Sequence, residues 1–576
     1  MHLTNMSIKN FRNFKEVDFP VGPGAVVVGE NRSGKSNLIH ALRLVLDPSL
    51  PNSERMLRPE DFWDGLSDGS EGWDPMKAGE IIEIAIEFGD IGDDPVALAS
   101  LGKCLIEGDP MIARVTYRFA PIDVAEPDPQ HPVYDWSVFG GDADDNDFNF
   151  ELRRYLRLTF MSALRDAERD IASWRRSPLR PLLKAAIDET DRDELEEVVK
   201  AVTEANDEIL GLEAIGELGT KITERTVGLV GDEQGLETAL GISAAGAQQL
   251  VRSLRIFVDG VGRPLSSASL GTLNVLYLAL LQLELTREFE LKDLAHLMIA
   301  IEEPEAHLHP HLQRLVFKDL LRPAPEQERT VIVTSHSPHI VSVSDPRNLV
   351  VLRRDGNETK VGSGLRAELD EVEWADLDRY LDATRGELVF ARRALLVEGF
   401  AETVLIPRLA QEMDIDLDKL GISVCPVHGT HFATYVRYLN ALAIPWAVVT
   451  DGDPTSKGTS RGSNRAKSLV KVLGREGEDH ENLGIFVGCV SLEPDLISVN
   501  EENRDVALEV IRGDSFGPTL TKLVESWAEE GSIDPANLNR LLRVVGKGRF
   551  AQRLVQTERT LHPPKYIAQA LEFLSP

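Results

Sequence analysis

Cysteine is scarce in this chain. There are three among 576 residues (Cys104, Cys425 and Cys489), and no two stand at a CxxC spacing. That excludes a disulfide framework and a paired-cysteine zinc site, and it predicts a reducing, cytoplasmic setting. Long hydrophobic runs are missing as well. The longest, Val275 to Leu285, is interrupted by Gln282 and Glu284 and is too short to cross a bilayer, so no membrane partner is expected. The opening MHLTNMSIKNF reads as a polar strand, without the basic-then-apolar pattern of a signal peptide. No internal repeat of fixed period is present. Positive charge is also in short supply: 62 Lys and Arg against 94 Asp and Glu leave a net −32. Such a balance argues against a protein that coats nucleic acid without selectivity. It does not argue against local basic grooves, or against acids whose charge a bound divalent metal offsets.

What is there is ordinary for a soluble α/β protein, with 42% hydrophobic and 27% charged residues in a length that suggests about three domains. The first stretch reads as strands, closing on AVVVG, and from Ser36 to Leu46 the apolar Leu38, Ile39, Leu42 and Val45 recur at helical spacing. Two alternating strands, IIEIAIEF and IARVTYRF, flank a helical segment. Between about 165 and 250 the composition turns to charged helix with Leu195, Val199, Val202, Ile209 and Leu212 on one face. Strand and helix patterns return from Arg255 to about Leu352. A polar joint near 355–385 precedes a second α/β unit.

Gly29-Glu-Asn31-Arg32-Ser33-Gly34-Lys35-Ser36 matches GxxxxGK[ST] between a buried strand and a helix, the context that motif requires. Its amides and helix N-terminus, continuing to Asn37, form a phosphate cradle. Lys35 reaches the β/γ oxygens of ATP and Ser36 ligates Mg²⁺. Downstream, the apolar strand before Glu302-Glu303-Pro304 ends in two acids. Alone it would be a solvated acidic turn; beside a phosphate loop, Glu302 holds the metal and Glu303 positions the attacking water. Thr330-Val-Ile-Val-Thr-Ser-His336 is a further buried strand ending in a histidine, at the place where ABC ATPases carry the switch histidine. Leu265-Ser-Ser-Ala-Ser269-Leu-Gly271-Thr272 opens an apolar helix and resembles the ABC signature motif, although its second glycine is missing. On that resemblance Ser269 and Gly271 complete the nucleotide site of a partner head, so that the protein must at least dimerise.

The combination of FRNF, GENRSGKSNLIHALRLVL, ALRDAERD, IEEPEAHLHP and TSHSP resembles the OLD-family nucleases, a group that includes the Gabija defence nuclease. The resemblance implies an ABC-type head of the SMC/RecF kind with a helical dimerisation insert, and a C-terminal TOPRIM domain. It also puts Glu305, His307 and His309 by the nucleotide and dimer contact, where the sequence alone equally allows a helix N-terminus.

The second unit can be read without it. Ala394-Leu-Leu-Val-Glu398-Gly-Phe-Ala-Glu402 is a strand ending in Glu, a turn, and a second Glu opening a helix. Trp446-Ala-Val-Val-Thr-Asp451-Gly-Asp453 is a second buried strand ending in DxD. Parallel strands gather their C-terminal ends, where sites form, so four carboxylates converge and call for Mg²⁺ or Mn²⁺. Val490-Ser491-Leu-Glu493-Pro-Asp495 offers a third strand end, and Gly546-Lys547-Gly548 a Lys in a tight turn. In a two-metal cleavage such a Lys offsets transition-state charge. The OLD resemblance carries these roles onto Glu398, Glu402, Asp451, Asp453, Glu493 and Lys547, and the hydroxyl of Ser491 is a further candidate metal ligand.

Arg392, Arg393, Arg461, Arg465, Lys467 and Lys471 are candidates for a DNA path. Tyr435 and Tyr438, at i, i+3 on a helix, are packing residues in preference to nucleophiles. The expected boundaries are 1–165 and 251–370 for the split ATPase, 166–250 for the dimerisation insert and 385–576 for the TOPRIM nuclease. The expected function is ATP-regulated, metal-dependent DNA cleavage in phage defence or DNA repair, with a helicase encoded nearby as a candidate partner. The competing expectation is a RecF-like clamp with a non-catalytic TOPRIM module.

Overall fold

Strands must pair off their backbone groups, and among the described residues they do so in three sheets and one short ribbon. The computed structural model describes residues 1–575 apart from 68, 71, 92–96, 99–100, 107–110, 124–131, 163–166, 174–176, 211, 231–251, 253, 259–261, 291–295, 323–328, 383–384, 457, 514–517 and 531–532. The first half of the ALRDAERD segment and the end of the expected insert therefore lie outside the described residues. The described residues form two compact units: 1–161, 295–305 and 310–576 in one, 162–294 and 306–309 in the other. Residues 251–294 cluster with the insert segment, so the compact unit runs on well past residue 250.

In the first unit, β1 (His2–Phe11), β2 (Phe14–Pro20), β4 (Ile82–Gly89), β5 (Leu105–Ile106), β6 (Ile112–Pro121) and β7 (Tyr134–Gly140) make an antiparallel sheet. Period-two alternation decides its faces. Ile82, Ile84, Ile86 and Phe88 of β4 are fully buried, whereas Glu83 and Glu87 pair with Arg118 and Arg114 of β6 on the other face. The two strands read as flanking a helix are thus direct antiparallel neighbours.

The second sheet runs β14 (Glu358–Ser363), β13 (Leu349–Asp355), β3 (Gly24–Gly29), β12 (Arg329–Thr334), β11 (Leu297–Glu302), β8 (Leu158–Met161), parallel except for the β13–β14 hairpin. Its inner strands are buried almost throughout, with apolar centres, as a sheet covered on both faces requires. The helix Lys35–Leu46 shares one core cluster with both sheets through Leu38, Ile39, Leu42 and Val45. The C-terminal ends of β3, β11 and β12 bring the phosphate loop, Glu302 and Thr334 to one edge.

The segment expected as a polar joint holds a capped helix. Asp370 and Glu373 form a reciprocal capping box, and the helix Glu371–Tyr380 buries Trp374, Leu377 and Tyr380 at helical spacing. Beyond it, β16 (Ile422–Pro426), β15 (Arg393–Val397), β17 (Trp446–Thr450) and β18 (Ile485–Val487) form a wholly parallel sheet with its own core, including Leu395, Leu405, Val449 and Phe550.

The second unit is mainly helical. Its helices Arg192–Leu210 and Glu213–Val230 keep Leu195, Val199 and Val202 half-buried and leave Leu212 exposed. It also carries a ribbon, β9 (Phe257–Val258) with β10 (Arg263–Pro264), and the helix Leu270–Glu290, packed through Leu273 and Leu280 on Ile171 and Leu265. Among the described residues no helix is long and apolar enough to cross a membrane.

Tyr435 and Tyr438 pack, as their spacing predicts. Tyr435 stacks edge-on with Tyr380 at 4.6 Å between centroids, and the fully buried Tyr438 donates its hydroxyl to the Pro346 carbonyl at 2.9 Å. Tyr438→Phe removes that donor and should cost about 1 kcal/mol of unfolding free energy in a urea titration. An unchanged midpoint would show that the hydroxyl makes no such bond.

Candidate active sites

The nucleotide edge is built from three strand ends and a loop. Gly34 caps the helix Lys35–Leu46 at φ 103°, and a Cβ there would lie 2.1 Å from Asn13 Nδ2, so both conformation and space demand glycine. Lys35 is buried, and its Nζ donates to the carbonyls of Gly29 and Glu30 at 3.0 Å each. Burial lowers its pKa, with Glu303 and Glu305 acting in opposition. Asn31 and Arg32 are exposed on the loop, while Ser33 is buried with no partner for its Oγ. An orphaned hydroxyl inside a ring of amides suits an incoming phosphate.

Ser36 hydrogen-bonds Glu302, whose pKa burial raises against that bond. Glu303 sits at φ 42°, its amide donating to the Thr334 carbonyl at 2.9 Å, which aims its carboxylate at His336 Nε2, 3.5 Å away. The His336 amide donates to Glu305 Oε1 at 2.7 Å. The second oxygen of Glu305 is buried without a partner.

A polar strap missed in the sequence holds this loop. Arg12 pairs with Asp61 at 2.9 Å and reaches Asn37 at 3.0 Å. Asn37 bonds Asn13, and Asn13 and Thr359 both donate to the Ser33 carbonyl. The only signal was FRNF, in which a turn Arg and Asn follow a strand. Ser269 and Gly271 belong to the second unit. Ser269 Oγ accepts from the Thr272 amide at 3.1 Å and opens the helix, and a Cβ on Gly271 would press to 2.6 Å from the His307 carbonyl.

The other site lies at the C-terminal edge of the wholly parallel sheet. Glu398 follows β15, and its Oε1 accepts from the Asp451 amide at 2.9 Å and from Thr450 Oγ1 at 2.5 Å. Glu402 is buried in the first turn of the helix Phe400–Glu412. Asp451, after β17, accepts from the Leu492 amide at 3.1 Å. Glu493 is 1% exposed; one oxygen meets Lys547 Nζ at 2.9 Å and the other has no partner. Ser491 Oγ lies 3.5 Å from Glu493.

Burial first, then Glu398 and Glu402, push the Asp451 carboxyl up to about 8, against the pull of Lys547. Glu402 is raised by burial and by Glu493 and Glu398. Four acids thus press on one another in a shrouded space.

Three expectations need adjusting. Glu493 is not on a strand end: β18 stops at Val487, and Ser491 caps a short helix, Leu492–Ile497, whose first turn carries the acid. Lys547 does not sit in a tight turn but begins the helix Lys547–Val555, with Gly546 at φ 90° supplying the break before it. Asp453 is not among the acids that raise Asp451, which are Glu398, Glu402 and Glu493. It pairs with Arg465 at 2.9 Å.

Arg465 was expected on a DNA path, yet its guanidinium spans the acids, meeting Glu398 Oε1 at 3.0 Å and the Asp451 carbonyl at 2.6 Å. It is one helical turn into Arg461–Val472, directly after the DxD loop, which is the signal that could have placed it. Asp495, for its part, accepts from the Cys489 and Val490 amides and organises that loop.

Among the described residues no three acids, histidines or cysteines close on one point as a finished cation cage. The donor set still fits a hard divalent cation. It is all oxygen, it carries mutual repulsion that a cation relieves, and Glu493 keeps a buried oxygen unsatisfied.

The raised carboxyl has a sign. A group whose folded pKa lies above its unfolded value near 4 binds its proton more tightly when folded, so the stability it contributes is lost as pH rises from about 4 to about 8. In the presence of chelator, Asp451→Asn should therefore melt higher than wild type at pH 8 and nearly alike at pH 4. Equal melting at both pH values would remove the strain assigned to this cluster.

Residues 389–453 match the family described as Overcoming lysogenization defect protein-like, TOPRIM domain. Residues 1–103 and 149–341, just over half the chain, match the AAA ATPase domain. The OLD nuclease of Thermus scotoductus is 27% identical over 78% of this chain and 82% of its own length. Endonuclease GajA of Bacillus cereus is 23% identical over 84% and 81%. Among solved structures, the C-terminal region of the Burkholderia pseudomallei OLD protein is 34% identical, covering 32% of this chain and 97% of that one at a TM-score of 0.29. With an AAA ATPase domain followed by an OLD-like TOPRIM domain, the chain belongs to the OLD family.

Proposed function

We propose that this protein is an ATP-regulated, divalent-metal-dependent DNA endonuclease. The observation that carries the reading is the set of Glu398, Glu402, Asp451 and Glu493 around Lys547, in a chain that also holds a complete phosphate loop. A clamp or scaffold has no use for mutually repelling buried acids. Two relatives that align along about four-fifths of the chain, the OLD nuclease of Thermus scotoductus and endonuclease GajA of Bacillus cereus, carry nuclease names.

Within this reading Asn31 to Asn37 hold the phosphates of ATP, and Ser36 and Glu302 hold Mg²⁺. Glu303 orients the water and His336 steadies Glu303. Ser269 and Gly271 serve the facing head of a homodimer or higher oligomer, assembled through the ATPase regions 1–165 and 251–370 and the insert 166–250. Light scattering that finds a monomer with and without ATP would remove that assembly.

In the TOPRIM region, 385–576, Glu398, Glu402, Asp451, Asp453, Ser491 and Glu493 supply oxygens for Mg²⁺ or Mn²⁺. A divalent cation bound there supplies Lewis acidity toward a phosphodiester and its attacking water. The chain's own part is to hold the acids at the strand ends and to keep Lys547 beside the leaving charge, while Arg465 pins Glu398 and Asp453. A cytoplasmic role in phage defence or DNA repair, with or without a helicase encoded nearby, fits such an enzyme.

Plasmid cleavage and ATP hydrolysis, measured side by side over a Mn²⁺ titration, test the reading. Lys35→Ala should lose nucleotide binding, and Glu303→Gln should bind ATP but turn it over roughly tenfold more slowly or worse. Asp451→Ala should abolish cleavage while hydrolysis stays within a few-fold. Lys547→Ala should slow cleavage at nearly unaltered metal dependence, because it acts on the transition state. Cleavage by Asp451→Ala at the wild-type rate would move the nuclease out of this domain and revive the clamp.

A further inference from the structure

One cavity of the first unit belongs to neither acid site and differs from its surroundings in charge. It has a volume of about 410 Å³ and lies where Gly29 and Glu30 of the phosphate loop face the end of β13 and the start of β15. That volume is in the range of sites for small molecules. Arg353, Arg354, Arg392 and Arg393 line it, and Glu30 is the one acid on its described wall. In a chain of net charge −32, four guanidiniums in a single concavity run against the trend. They also oppose one another: after burial, the neighbouring Arg393 is the largest influence lowering the Arg353 pKa.

The donors are only partly used. Arg353 bonds backbone, donating to the carbonyls of Arg392 at 2.7 Å and of Ala443. Arg393 gives one bond to the Leu420 carbonyl at 3.3 Å, and Arg354 one to Gly356 at 3.0 Å. Each of these last two keeps further N–H groups with no protein acceptor among the described residues. Arg392 is held by Glu30 in a two-pronged pair, one prong at 3.0 Å. The backbone carbonyl of that same Glu30 holds Lys35 Nζ.

We propose that this cavity binds a small phosphate-bearing anion, separately from the triphosphate position on the loop, and that the anion competes with Glu30 for Arg392. Guanidinium forks suit phosphate oxygens, and a double helix is too wide for a cavity of this size. Binding frees the Glu30 side chain and so reports occupancy to the segment that positions Lys35. The proposal depends on the ATPase reading only in treating Gly29 to Ser36 as a phosphate loop.

The test uses the full chain carrying Lys35→Ala, which silences the loop, and calorimetric titration with pyrophosphate, ADP and a short single-stranded oligonucleotide. Pyrophosphate should still bind at one site, and adding Arg354→Ala with Arg392→Ala should weaken it by about tenfold or more, the scale of losing charge-assisted bonds. Arg354→Gln alone should weaken it in the same direction, and matching thermal melts keep loss of fold apart from loss of the site. ADP binding tighter than pyrophosphate would assign a nucleoside phosphate, and equal binding an inorganic one; either supports the proposal. It is overturned if the Lys35→Ala chain binds no pyrophosphate, if the arginine changes leave binding intact, or if the oligonucleotide displaces pyrophosphate at lower concentration. Normal ATP hydrolysis by Lys35→Ala is a separate result that would instead undo the ATPase reading.

Discussion

Much of this molecule follows from the repulsion among four acids at one end of a parallel sheet, Glu402 and Glu493 buried and Glu398 and Asp451 half-buried. Parallel strands point their C-terminal ends the same way, so residues that follow β15 and β17 meet whether or not their charges suit one another. Burial deepens the conflict, which is why Asp451 holds its proton far above the usual carboxylate range. The chain answers with two cations. Lys547 reaches Glu493 from the start of a late helix, and Arg465 reaches Glu398 and Asp453 from the helix after the DxD loop. The same logic recurs in milder form at the nucleotide edge, where Lys35 faces Glu303 and Glu305.

How much of this was visible beforehand depended on sequence distance. The phosphate loop, the Glu302–Glu303 pair and the strand before Glu398 were legible because hydrophobic runs mark buried strands and chemistry sits at their ends. The doubly covered parallel sheets followed from the same runs. Less legible was anything a long side chain decides after folding. Arg465 and Arg392 belonged to one undifferentiated basic set in the sequence, yet one guanidinium lies among the acids and the other grips the phosphate loop. Arg12 and Asn13 drew notice only through a motif, since their partners Asn37, Asp61 and Thr359 are scattered along the chain.

Local geometry erred where polar composition hid a short helix. The 355–385 stretch looked like a joint because its acids are interspersed among its apolar residues, but Asp370 and Glu373 spend their charge on capping and three side chains suffice to anchor the helix. Glu493 was assigned to a strand end for a related reason: Ser491 begins a one-and-a-half-turn helix too brief to show periodicity.

The sheet that carries the phosphate loop also constrains the order of synthesis. Strand β3 ends at Gly29, but the strands on either side of it, β12 and β13, begin only at Arg329 and Leu349. At ribosomal rates of about 5–20 residues per second, a finished β3 waits on the order of 15–60 s for its first neighbour. Throughout that interval GAVVV, fully buried in the native protein, has both edges open and no partner strand from its own sheet. The four strands around Asp451, by contrast, all emerge within one short stretch of chain. The nucleotide edge therefore closes long after its central strand is made, and that interval leaves an apolar strand open to misassembly at the ribosome.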